Sequence, residues 1–167
     1  MIRPCHCLSL LALSALSLCA QPGNSAAAPA IPPRLLMSAE NAEQWRGGSL
    51  DRDIVPEGET ASIRWAHGES TSLEHRGCPS DWTGEHNALD FWLHSEKATN
   101  SRFLIYIGSE NPETAGIDYY STTIRLDFTG WRHYQLSLKD LNRSRSPLGF
   151  DKITSFRMNA TGWNNTP

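Results

Sequence analysis

Cysteine is scarce in the body of this chain. Cys5, Cys7 and Cys19 lie near the start, and only Cys78 lies beyond them. Once a leader is removed, one thiol leaves no internal disulfide framework. A chain of 167 residues has core enough to do without one. Excess positive charge is missing too. The formal net charge is −3, which argues against a nucleic-acid partner and gives no pull toward an anionic membrane surface. No apolar run reaches the roughly 20 residues that span a bilayer. No stretch after the leader keeps a long 3.6-residue apolar period, so long amphipathic helices are excluded. GxSxG, HExxH, CxxC and the EF-hand loop are all absent, as is any internal repeat.

What is present begins with an export pattern. Arg3 supplies a positive start and residues 8–20 (LSLLALSALSLCA) an uncharged apolar run, followed by small residues up to Ala30. This reads as a signal peptide over residues 1–30, giving a secreted or periplasmic protein. Lipidation of Cys19, giving an outer-membrane lipoprotein, is the competing reading, although Leu18 stands where a small residue is expected. Residues 26–33 (AAAPAIPP) form a proline-rich linker that opposes helix and sheet.

The rest alternates with period two. Ile124, Leu126 and Phe128 fall on one face, and after Gly130 the pattern restarts with Tyr134, Leu136 and Leu138 opposite His133, Gln135 and Ser137. Gly130 marks a turn or bulge, and Trp131 is expected to cover one end of the core. Leu89, Phe91 and Leu93 alternate with Asp90, Trp92 and His94. Phe103, Ile105 and Ile107 alternate with Leu104 and Tyr106. Further strands are expected over 35–38, 60–66, 117–128 (with a break near Ser121) and 153–159, with a weak helix over 39–45. Segments 68–84 and 139–150 read as polar connections. Short strands between turn signals give an all-β class and a jelly-roll or sandwich over residues 31–167.

Catalytic signals are thin. His75 and Cys78 are near neighbours without a surrounding signature. Tyr119, Tyr120, His133 and Arg157 supply the residue types a polysaccharide lyase needs, with nothing to fix their geometry. No cofactor is expected; Glu40, Glu43 and Asp127 are hard-cation ligands that leave a structural calcium ion open. The outward strand positions are more informative: Trp92, Tyr106, Arg125, His133, Gln135 and Arg157, with Asp90, His94 and Asn159 beside them. Aromatic faces stack on the apolar faces of sugar rings, and planar polar groups pair with vicinal hydroxyls or carboxylates. The competing reading splits these strands between two sheets, so that the residues share no surface and Trp92 packs under a loop.

Five segments carry a family resemblance: Asp81-Trp82, FWLHSEKATNSRFLIYIGSEN (91–111), DYY (118–120), LDFTGWRHYQLSL (126–138) and GFDKITSFRMNATGW (149–163). With them the chain is similar to the amino-terminal β-sandwich modules of secreted bacterial polysaccharide lyases, of the heparinase II/III-like and chondroitin- or hyaluronate-lyase-like kinds. The resemblance implies a jelly roll similar to carbohydrate-binding modules, with catalytic residues in a downstream domain. It implies a polysaccharide partner, possibly containing uronic acid. In that family a further strand follows the equivalent of Gly162-Trp163, so a fragment lacking its closing strand is expected. Three functions remain open here: a binding module, a structural domain that positions a catalytic one, and a lyase in its own right.

Overall fold

The computed structural model describes residues 33–84 and 86–160. The leader, Cys19, most of the linker and the tail at 161–167 lie outside these residues, as do the expectations that rest on them. The described residues are almost all strand and loop: β1 (Trp45–Arg46), β2 (Ser49–Asp51), β3 (Ser62–Arg64), β4 (Ser72–His75), β5 (Ala88–Ser95), β6 (Arg102–Gly108), β7 (Tyr119–Arg125), β8 (Gly130–Ser137), β9 (Asn142–Ser144) and β10 (Ser155–Asn159). Helix is limited to two 3-10 turns, Ala42–Gln44 and Leu138–Asp140. The class is all-β, with antiparallel, open sheets.

A six-stranded sheet runs β1-β4-β10-β6-β7-β9, and two separate pairs are formed by β2-β3 and β5-β8. Alternation decides what each side carries. Phe103, Ile105, Ile107, Ile124 and Phe156 project from the large sheet into one hydrophobic cluster, where Leu89 of β5 joins them. Phe91, Leu93, Tyr134 and Leu136 of the β5-β8 pair pack against the same cluster. The other sides of both sheets therefore point away from it. β6, between β10 and β7, is buried on both sides: Leu104 and Tyr106 face away from the cluster yet are 5% and 2% exposed.

Several sequence expectations need correction. No strand forms over 35–38. The helix expected over 39–45 shrinks to one 3-10 turn that leads into β1. β4 and β9 lie inside the segments read as connections. β4 escapes a hydrophobic count because its second core-facing residue is a histidine, His75. β9 is polar because it is an edge strand, paired with β7 alone. The break near Ser121 does not occur; Ser121 sits opposite both Tyr106 and Asn142 in an unbroken β7. Trp131 does not cap the core. It belongs to β8, opposite His94, on the side away from the cluster.

Two buried polar groups organise the periphery. Asp118 is fully buried, and its carboxylate accepts from the Thr114 hydroxyl and from the amides of Asn111 (3.3 Å) and Ser146 (2.8 Å), tying two loops together. His75 is 4% exposed, with the Trp45 ring edge-on at 4.7 Å. Among the described residues neither of its ring nitrogens has a hydrogen-bond partner. Burial pulls its pKa below the ordinary 6.5. The unfolded chain therefore takes up this proton first as pH falls. The contribution to stability is complete above about pH 6.5 and declines below it. His75→Leu is expected to remove that part of the slope in urea melts between about pH 7 and 5. Parallel profiles for wild type and variant would contradict the assignment.

Candidate functional site: the outward face of the β5-β8 pair

The predicted sugar-facing residues do not share one surface. The sheets divide them, as the competing reading expects and against a single outward face, but Trp92 is half exposed and not packed under a loop.

Tyr106, Arg125 and Arg157 lie on the side of the six-stranded sheet that faces away from the cluster. Arg157 stands directly opposite Tyr106, its guanidinium 4.1 Å from the ring centroid. Tyr119 packs at 4.8 Å, and the Tyr106 hydroxyl donates to Glu110 Oε1 at 3.2 Å. Burial, helped by the Glu110 charge, pushes the Tyr106 phenol up to about 12. A tyrosine already covered and hydrogen-bonded has little left to offer a ligand. Arg125 is exposed, opposite Arg102 at the start of β6.

Trp92, His133 and Gln135 come together on the outward side of the β5-β8 pair, with Asp90 and His94. The register places Asp90 opposite Gln135, Trp92 opposite His133, and His94 opposite Trp131. Trp92 is 50% exposed. Its indole stacks on the His133 imidazole, centroids 4.7 Å apart and planes 24° from parallel. His133 Nε2 is in turn 2.7 Å from Asp90 Oδ1. The Trp92 ring is thus held in place without being covered.

The indole N–H groups separate the tryptophans into two kinds. Trp45, Trp65 and Trp82 donate to the carbonyls of Ser38 (2.9 Å), Ser70 (2.8 Å) and Pro79 (2.7 Å). These three are satisfied structural residues, as buried tryptophans usually are. Trp92 and Trp131 have no such bond among the described residues. An outward ring and a donor without a partner among the described residues are what a sugar ring and its hydroxyl can use. Trp131 is the functional candidate that sequence reasoning missed. Continuing the β8 alternation one step back, from His133 to 131, would have found it.

The other constellations disperse. Tyr120 stacks on Phe150 at 4.2 Å on the core side, Tyr119 and Arg157 face the opposite way, and His133 belongs to the other sheet. They build no common centre. Cys78 is half-buried against the core, and burial pushes its thiol up to about 11, which disfavours a thiolate nucleophile. Glu40 is held by Arg52 at 2.7 Å and by the Thr60 hydroxyl, and Asp127 by Arg132 at 2.6 Å. These carboxylates are engaged in ion pairs, and among the described residues there is no group of three or more acidic, histidine or cysteine side chains that could hold a metal ion. Among the described residues no helix is long and apolar enough to cross a membrane. A cleft of about 440 Å³, bordered by Trp82, His86, Asn87, Leu138 and Phe150, gathers none of the predicted residues.

No protein-family model, curated protein or solved structure matches the chain.

Proposed function

We propose that this chain is an exported, non-catalytic carbohydrate-binding module with a jelly-roll sandwich fold, the front part of a polysaccharide lyase. The observation that carries the reading is Trp92: half exposed, stacked on His133, its indole N–H unpaired among the described residues, between the Asp90–Gln135 and His94–Trp131 pairs of one sheet face. A large apolar ring left in water forgoes roughly 1.5–3 kcal/mol of burial. Trp92 has already gained about half of that term, and stacking on the apolar face of a sugar would add part of the rest, while Asp90 and Gln135 on the neighbouring rung offer polar groups to its hydroxyls.

The experiment is affinity electrophoresis in gels containing hyaluronan, chondroitin sulfate, alginate, xylan or mixed-linkage β-glucan. The wild-type chain is expected to be retarded by at least one. Trp92→Ala is expected to weaken that retention about tenfold, a loss of about 1.4 kcal/mol, with an unchanged circular dichroism spectrum. Equal retention of the two folded proteins would overturn the reading. Exposure of Trp92 equally favours a second one, in which the same face docks on a catalytic domain and positions it. Under that reading the isolated chain is retarded by none of the gels.

A further inference from the structure

The β5-β8 face repeats one local arrangement. On the Trp92 rung, a β5 indole stacks on a β8 imidazole at 4.7 Å. On the next outward rung the roles are exchanged: the β5 imidazole of His94 meets the β8 indole of Trp131 at 5.0 Å, tilted by 59°. Successive outward rungs are about 7 Å apart along a strand, and diagonal cross-strand positions are separated by about 7–8 Å. Trp92 and Trp131 occupy such a diagonal. Two rings on such a diagonal stand far enough apart for each to meet a different sugar unit of one glycan chain. Trp131 has no part in the hydrophobic cluster, and its N–H, like that of Trp92, is unpaired among the described residues. The packing of the core does not account for it.

We infer that Trp131 is a second stacking subsite, so that the face takes two residues of one glycan chain rather than a single sugar. The inference rests on the carbohydrate-binding reading above and specifies its ligand as a chain engaged along the β5-β8 diagonal. His94 packs against Trp131, itself partly exposed, much as His133 packs against Trp92, and limits the orientations of the ring, so that less ordering remains to be done on binding.

The test uses the polymer that retards the wild-type chain, cut to its hexasaccharide, with the corresponding monosaccharide as the one-subsite probe. Trp131→Ala is expected to weaken hexasaccharide binding about tenfold and to leave monosaccharide binding, read at Trp92, unchanged. Trp131→Tyr keeps a ring and is expected to restore most of the loss, which a purely structural role for the indole would not require. If Trp131→Ala does not fold, Trp131→Leu fills the volume without the ring and carries the same comparison. Trp92→Ala weakening the hexasaccharide while the Trp131 variants do not would overturn the second subsite and leave the module intact. Equal losses for monosaccharide and hexasaccharide would also overturn it. If no gel retards the wild type, or if neither tryptophan matters, the carbohydrate reading fails together with the subsite.

Discussion

Phe156→Ala is expected to cost about 3–5 kcal/mol, a large part of the roughly 5–15 kcal/mol that holds a domain of this kind together. Phe156 is 2% exposed on β10, between β4 and β6 in the middle of the large sheet. Its ring lies 6.4 Å from Trp45 and 6.1 Å from Trp82. Truncation leaves a cavity bounded by two tryptophans whose indoles are pinned by carbonyl hydrogen bonds. Pinned rings relax little into a void, which places the cost at the upper end. Thermal melts are expected to fall on the order of 10–20 °C. Trp92→Ala removes a larger side chain and is expected to change the melting temperature by only a few degrees, because that ring is half in water. A small loss for Phe156→Ala, or equal losses for the two, would contradict the placement of the core.

The second large effect is expected at a glycine. Gly47 follows β1 with φ at 84°, in the left-handed region that penalises any side chain. An added Cβ would stand 2.1 Å from the Ser72 carbonyl oxygen and 2.7 Å from Ser70 Oγ. The first is backbone at the start of β4 and cannot rotate away, so β1 must lift from its partner. Gly47→Ala is expected to cost about 2–4 kcal/mol. Gly130 is the internal comparison. Its φ is 82°, but an added Cβ meets nothing within 4 Å. Gly130→Ala therefore carries the backbone term alone, about 1–2 kcal/mol. Urea melts of the two variants measure the difference, and equal destabilisation would mean that the contact with Ser72 does not matter.

How far the sequence reaches depends on what alternation encodes. β5, β6 and β8 were legible because Leu89-Phe91-Leu93, Phe103-Ile105-Ile107 and Tyr134-Leu136 repeat with period two and pack against the same cluster. β4 and β9 were not, because the first completes its core side with His75 and the second is a polar edge. Alternation also tells which side of a strand a residue occupies, and is silent on which sheet the strand joins. That is why Tyr106 and Arg157 read as neighbours of Trp92, although the register puts them in another sheet, with the Tyr106 ring beneath a guanidinium. The link from Asp90 through His133 to Trp92 joins residues far apart in the chain, and only strand pairing brings them together. Trp131 was misread for a local reason: Gly130 looked like the end of a pattern, whereas it is the first residue of β8.

The central claim is that the outward tryptophans of the β5-β8 pair bind a glycan. Titrating the ¹⁵N-labelled chain with the glycan that retards it, and following the indole N–H signals, tests this most directly. Trp45, Trp65 and Trp82 serve as internal references, because their N–H groups are already bound to carbonyls. The prediction is a large, saturable shift of the Trp92 signal, accompanied by Trp131, with those three still. Indole signals that all stay in place, or a shift confined to Trp82 beside its cleft, would contradict it.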